Sequence, residues 1–413
     1  MNRLVHSVLD QLLDRKTTIA ELAIVGLAIG ALGVLAVSAL MDPYTRGDVA
    51  LYHKYSLSMV QGSVPYRDFL VEYPPLALLP MLVPQLLNIV FGHSESSYVG
   101  LFFAQNLLLC IATGWLLVKL AAEQSRLYAQ RVAIAYTVLA IANSALLLQR
   151  YDIMPALLTL LALWMIDRPS VSGACLGLGV LAKLYPIVLI PMFAAFYWTQ
   201  RQYSAVVRFT VGAAIAAAVV MLPFASIGIG NVFGFLDYHK LRGLQIESVL
   251  AGLLLLGHQL GWTPVEVVLN YGAFHLNSPL ANSIAQLLPV AFLSVSGLVF
   301  LLSLRRLRQG KGLVVPIVAI LLTFVVTNKV FSTQYLIWIL PFAPLLRRSQ
   351  VALFIAISVL STLIYPHLYG RLLNFQGLAI LVLNLRNLLT VGLLGWLLVE
   401  LTDRVKPYAD PEH

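Results

Sequence analysis

The sequence predicts an all-α polytopic membrane protein, and three observations carry that prediction. Hydrophobic residues make up 60% of the 413 and charged residues only 11%, against about 25% charged in a soluble globular chain. Mean hydropathy is +0.86. The apolar residues run unbroken rather than alternating with polar ones, as the strands of an outer-membrane barrel would require. A water-soluble protein, a disordered chain and a nucleic-acid-binding domain are excluded together. The net charge of +9 does not restore the last of these, because the bases sit in short hydrophilic gaps between apolar runs, where cytoplasmic loops carry them.

About twelve crossings, eleven to thirteen, are expected. In chain order they fall at 19–40, 98–118, 132–149, 153–167, 171–183, 185–198, 205–224, 283–304, 313–328, 335–346, 350–365 and 378–400. Several are shorter than the roughly 20 residues a full crossing needs. The lead-in 1–18 is too long and too acidic before its apolar stretch for a cleaved signal peptide, and reads as a retained amphipathic cytoplasmic segment. The stretch 73–91 is apolar as well, but Pro74, Pro75, Pro80 and Pro84 each remove a backbone donor. It reads as a helix lying at, or dipping into, the membrane surface. Charge supports that choice. With 73–91 not crossing, 17 of the 27 basic residues fall on the side of the N-terminus, as cytoplasmic loops demand.

This arrangement makes 19–400 a single transmembrane domain followed by a cytoplasmic tail, 401–413. It gives the outer face two long connections, 41–97 and 225–282, with interfacial helices expected in the first. Cys110 and Cys175 both lie in apolar segments, so neither a disulfide framework nor a metal site is indicated. No internal repeat of the kind transporters carry is visible.

The candidate chemistry sits in the outer segments. The first loop holds Asp42, Asp48, Asp68 and Glu72 within 31 residues. A carboxylate near the membrane surface can take a proton from an acceptor hydroxyl. Asp48 is followed by Tyr52, His53 and Tyr55 at helical spacing, which sets an acid at a helix start. Gly47-Asp48 is also a plain helix-start signal, so Asp48 reads as a cap, a reactive acid, or both. Glu72-Tyr73-Pro74-Pro75 forms a rigid corner that would aim Glu72 at the same pocket. Arg150 and Asp152 flank the outer end of the third span and read first as a salt bridge. Lys183 interrupts an apolar run too short to bracket a loop; an unpaired lysine there costs about 2.5–3.5 kcal/mol, so it needs either a lipid phosphate or a carboxylate. Arg150, Lys183, Arg242 and Lys329 are outward bases able to hold a phosphate, and carboxylates such as Asp152 and Glu247 lie among them. His258, His275 and His367 show no metal spacing and read as surface or packed residues.

The strings GDVALYHKY, GSVPYRDFLVEYPPL, RYDIMPALL, LAKLYP, LRGLQIES and NKVFSTQYLIWILP, in that order across about 300 of the 413 residues, resemble glycosyltransferase family 87, the bacterial α-mannosyltransferases of the GT-C fold. The resemblance implies a GT-C architecture and an inverting transfer from a lipid-linked donor, with Asp48 as the catalytic base. It places Tyr66, Asp68, Glu72, His53, Arg150, Asp152, Lys183, Arg242, Glu247, Lys329, Gln334 and Tyr335 in its motif strings without fixing their roles. Because polyprenyl phosphate is already a good leaving group, no cofactor and no metal are expected.

The function so implied is transfer of a monosaccharide, mannose first, from a polyprenyl-phosphate carrier to a glycolipid or envelope glycan. It would take place on the outer face of a bacterial plasma membrane, with both termini cytoplasmic and no nucleic-acid partner. Three alternatives stand beside it: a relative transferring arabinose or an aminosugar, a flippase or transporter of lipid-linked sugar, and a catalytically dead scaffold that keeps the fold and loses the chemistry.

Overall fold

A computed structural model describes residues 47–403. The lead-in 1–18, the expected first span 19–40, Asp42 and most of the tail lie outside the described residues. The rest is a helical bundle whose helices stop and restart at one end.

Five helices among the described residues are long and apolar enough to cross a membrane: Glu95–Ala122, Tyr203–Ile227, Pro279–Arg308, Arg348–Leu373 and Gly377–Thr402. Their starts follow from local chemistry. Ser94 caps the first by accepting from the Ser97 amide, and Ser278 caps the third by accepting from the Ala281 amide, with Pro279 in the first turn, where the proline's missing donor is no loss. Arg305, Arg306 and Arg308 close the last turn of that helix, where cations suit its negative end.

The hydropathy pattern suggests eleven crossings after the first, and the difference lies in interrupted helices. The run 132–149 divides at Asn143 into α1 (Arg126–Ala142) and α2 (Ser144–Gln149). Next come α3 (Ile153–Trp164), α4 (Pro169–Ala182) and α5 (Ile190–Thr199). The segment 335–346 contains only a four-residue helix, Leu336–Ile339, between short 3-10 turns. Arg150, Lys183 and Asn328 each have extended backbone where a helix ends. Such breaks are tolerated at membrane depth only where protein buries them or a cavity lies beside them. Here Asn106 repairs one: its side-chain amide donates to the carbonyls of Leu148 (2.9 Å) and Arg150 (3.0 Å).

The proline-rich stretch folds as a 3-10 turn, Pro75–Ala77, followed by α6 (Leu78–Phe91) with Pro84 inside. Its 14 residues extend about 21 Å, short of the roughly 30 Å hydrocarbon core. Elsewhere α4 meets the helix Tyr203–Met221, here α7, in backbone contact. A Cβ placed on Gly177 would lie 2.5 Å from the Ala213 carbonyl oxygen, and one on Gly212 2.1 Å from that of Ser170. Small residues permit this crossing.

The second long connection, 225–282, adds a small sheet to the otherwise helical fold. Strands β1 (Leu244–Gln245), β2 (Glu266–Asn270) and β3 (Ala273–Asn277) form an antiparallel sheet in the order β1-β3-β2, with α8 (Val249–Gln259) between the first two. Tyr271 and Gly272 both have positive φ and make the two-residue turn, the geometry that matches strand twist in a hairpin. The sheet's buried residues Leu244 and Leu276 join Ile364, Leu368 and Ile380 in one core cluster, so the hairpin is fastened to the last two crossing helices.

Candidate active site

The helix breaks, the Glu72 corner and the hairpin surround a cavity of about 760 Å³ at one end of the bundle. Its wall contains three carboxylates, Asp48, Glu72 and Glu247, and five cations, Arg150, Lys183, Lys240, Arg242 and Lys329, together with His239 and Gln334. Charged side chains gathered in a cavity where membrane-protein helices break mark a functional-site candidate rather than a packing fault.

The cations divide by partner. Lys183 donates to both oxygens of Asp152, at 2.7 Å each, and Asp152 is fully buried. Trp338 Nε1 donates to the same carboxylate at 2.6 Å. Of the two partners open to Lys183, the structure supplies the carboxylate. Arg150 pairs with Asp48, not with its sequence neighbour Asp152. The extended backbone at Arg150 turns the two charges apart, and each reaches across to another element. Arg242 and Lys329, by contrast, make no ion pair among the described residues. Arg242 donates to the Tyr271 carbonyl (2.8 Å) and Lys329 to the Lys240 carbonyl (2.7 Å). The two lie near enough for their charges to oppose one another.

Glu72 sits beside the hairpin turn. A Cβ on Gly272 would be 2.9 Å from the Tyr238 hydroxyl, 3.9 Å from Glu72 Oε2 and 4.0 Å from Arg242 Nη2, so this turn brings together groups from three distant segments. His239 is pushed down to about 4 by burial and by the nearby Arg242 and Lys183 charges; it faces the cavity as a neutral ring. Glu247 is 3% exposed, with Oε2 taking the Gln245 amide at 2.7 Å and Oε1 buried without a partner. Burial pushes its carboxyl up to about 7, against the pull of Arg386.

One wall is aromatic. Trp338 stacks on Tyr185 (4.3 Å, 3° between planes) and on Tyr335 (3.9 Å, 22°). Lys183 Nζ lies over the same indole at 5.8 Å and over Tyr151 at 4.8 Å. Behind Glu72, Tyr52, Tyr73 and Tyr151 meet edge-on at 5.3–6.0 Å.

Of the residues singled out from sequence, Asp48, Glu72, Arg150, Lys183, Arg242, Glu247, Lys329, Gln334 and Tyr335 line the cavity. Four others do not. Asp68 is exposed and paired with Arg67 at 2.8 Å. Tyr66 is buried one layer back, its hydroxyl donating to the Tyr73 carbonyl at 2.8 Å. His53 packs on Tyr98 with ring centres 4.6 Å apart. Asp152 acts on the wall through Lys183. His239 and Lys240, from the charged string Asp237-Tyr238-His239-Lys240, and Trp338, inside the string NKVFSTQYLIWILP, line the cavity without being named as site candidates from sequence, and so do Tyr365 and Tyr369, which read as ordinary helix residues. Among the described residues no group of three or more His, Cys, Asp or Glu could hold a metal.

The geometry is that of a cation-rich cavity with a largely aromatic and apolar wall, set where helices of the bundle break. GPI mannosyltransferase 1 of Candida albicans is 23% identical over 313 residues, covering 73% of this chain and 74% of that protein. The family described as glycosyltransferase family 87 matches residues 69–326; that stretch includes Glu72, Arg150, Lys183, Arg242 and Glu247, whereas Asp48 precedes it and Lys329 follows it. More than half the chain carries the family's pattern, and the cavity is built largely from that part: this chain belongs to glycosyltransferase family 87.

Proposed function

We propose that this membrane glycosyltransferase moves a mannosyl residue, or a closely similar hexose, from a polyprenyl-phosphate carrier to a glycolipid or envelope-glycan hydroxyl. The observation that carries the reading is the set of lining cations that make no ion pair among the described residues, Arg242 and Lys329 with Lys240 beside them, facing one cavity with Asp48. A phosphate is the anion such a set suits. Mannose is favoured because the Candida albicans relative is named a mannosyltransferase.

The reaction is a single displacement with inversion. Asp48 takes the proton of the acceptor hydroxyl as its oxygen bonds to the anomeric carbon. The bond from that carbon to the phosphate oxygen breaks, and its electron pair leaves with polyprenyl phosphate, which Arg242 and Lys329 receive. Arg150 holds the Asp48 carboxylate at the cavity wall. The Tyr185–Trp338–Tyr335 stack offers a flat surface for a sugar ring or the first units of the lipid.

The cavity is assigned to the outer face of a bacterial plasma membrane, within one domain spanning 19–400. The supporting observation is that Arg305, Arg306, Arg308, Arg347 and Arg348 lie at helix ends remote from the cavity wall, and cytoplasmic ends carry such clusters.

Purified protein given polyprenyl-phosphate mannose and a membrane lipid extract is expected to release polyprenyl phosphate and form a mannosylated lipid. Asp48→Asn is expected to lower turnover by about 100-fold or more with donor binding retained. Near wild-type turnover in that variant would remove Asp48 from its role, and a requirement for a nucleotide-sugar would remove the donor assignment.

A further inference from the structure

The last crossing helix, Gly377–Thr402, buries an arginine completely: Arg386 is 0% exposed. A charge inside a membrane span is retained only against partners or for function. Arg386 Nη2 donates to the Glu247 carbonyl at 2.9 Å, and its guanidinium lies 3.8 Å from the centre of the Phe331 ring. Its Nε and Nη1 are buried with no hydrogen-bond partner. The neighbours on the same helix reach the same loop: Asn387 donates to the Ser248 carbonyl at 3.2 Å and Asn384 to that of Gly252 at 2.9 Å.

Neither Arg386 nor Phe331 lines the cavity, but the segments they touch do. Glu247 belongs to one, and Lys329, Thr333 and Gln334 to the other. The two segments are also joined directly, the Gln245 amide donating to the Lys329 carbonyl at 2.8 Å. Arg386 therefore stands behind the point where they meet. A hydrophobic residue of similar volume would bridge them without the cost of a buried charge, so packing alone gives no reason for arginine.

We propose that Arg386 is a positioning residue for the transfer: from inside the membrane span it holds the Glu247 backbone, and so the place of its side chain, and the Lys329–Gln334 segment in the wall that receives the substrate. This rests on the reading of the cavity as the transfer site. Glu247 supplies the readout. The charged and titratable groups acting with it are Arg386 from the last span, Arg150 from the break after α2, Tyr335, and Tyr369. Arg386 is the foremost of those that favour its ionised form.

The test compares wild type with Arg386→Gln, Arg386→Lys and Glu247→Gln. Turnover of polyprenyl-phosphate mannose is followed from about pH 5 to 9, and the carboxyl band of Glu247 is titrated by infrared difference against Glu247→Gln. In Arg386→Gln the Glu247 titration is expected to move up by about one pH unit. Its kcat should fall by about tenfold or more, with a smaller change in donor KM. Arg386→Lys keeps the charge, and so should leave the titration near the wild-type value while still lowering kcat. An unshifted band in Arg386→Gln, or unchanged kcat in both variants, overturns the proposal. Where Arg386→Gln fails to fold, the Arg386→Lys kcat decides alone. A wild type that turns over no lipid-linked mannose overturns the functional reading instead, and the infrared titration still reports whether Arg386 governs Glu247.

Discussion

Removing Lys183 separates two accounts of why a lysine interrupts an apolar run. Its ammonium touches both oxygens of Asp152 at 2.7 Å, and that carboxylate is fully buried, with Trp338 Nε1 as its other donor at 2.6 Å. Lys183→Met leaves the carboxylate buried and its charge unanswered, for which one indole donor cannot compensate. Breaking a buried pair from one side costs about 3–5 kcal/mol. Adding Asp152→Asn removes the charge while keeping an oxygen for the Trp338 bond, so the double variant should recover all but about 1 kcal/mol. The assay is reversible unfolding in mixed micelles, single and double variants beside wild type. Wild-type stability in Lys183→Met, accompanied by a large loss of donor affinity, would instead make Lys183 a phosphate ligand. A double variant no more stable than the single one would equally rule out the buried Lys183–Asp152 pair as the reason for the lysine.

The other perturbations are smaller in scope. Gly177→Leu drives a side chain into the backbone of α7, where even a Cβ would sit 2.5 Å from the Ala213 oxygen; a loss of about 3 kcal/mol or more is expected in the same unfolding assay, with Gly100→Ala, which has open space around it, as the silent control. Arg242→Gln and Lys329→Gln should each lower kcat/KM for the lipid donor by about tenfold, measured by steady-state turnover, with the larger share of the loss in kcat. His275 is buried in β3 and held down to about 4 by burial and by Arg242. A histidine kept neutral in the fold contributes stability that is present above its ordinary value near 6.5 and is lost as pH falls toward 4. Unfolding midpoints should drop through that window in wild type and less so in His275→Gln.

Much of the site was legible because charges stand out against an apolar background. Lys183 sits between two apolar runs too short for a loop, and the structure breaks the chain there for the reason that spacing suggested. Glu72 before Pro74-Pro75 cannot continue into a helix, and the corner does face the cavity. Partner choice was not legible. Arg150 and Asp152 are two apart in sequence, yet extended backbone sends one to Asp48 and the other to Lys183. The hairpin escaped notice because 225–282 reads as one hydrophilic connection, although the Asn270-Tyr271-Gly272 turn between Val267-Val268 and Phe274 was a usable signal. Arg386 was hidden for the opposite reason, as the one charge before Glu400 in 378–400, which the hydropathy of that span absorbs. Asn384 and Asn387 nearby on one helical face were the clue that this span turns inward rather than to lipid.

The division between paired and unpaired cations bears on how the chamber would discriminate donor from transition state. Arg150 and Lys183 are already neutralised, and a phosphate drawing Lys183 away would strand the buried Asp152, so those cations gain little from a new anion. Arg242 donates to the Tyr271 carbonyl and lies over the Tyr238 ring, Lys329 donates to the Lys240 carbonyl, and the two charges oppose one another. A lipid-linked sugar brings a phosphodiester with a single negative charge. As the bond to the sugar breaks, the phosphate gains a second. Under the proposed transfer, cations such as Arg242 and Lys329 that make no ion pair among the described residues match the departing group better than the resting donor, and their attraction grows along the reaction coordinate. Interactions that strengthen toward the transition state raise kcat, whereas uniform ones only lower KM. That is why loss of either cation is expected chiefly in kcat, and a loss confined to KM would mean that the two residues hold the donor without helping it leave.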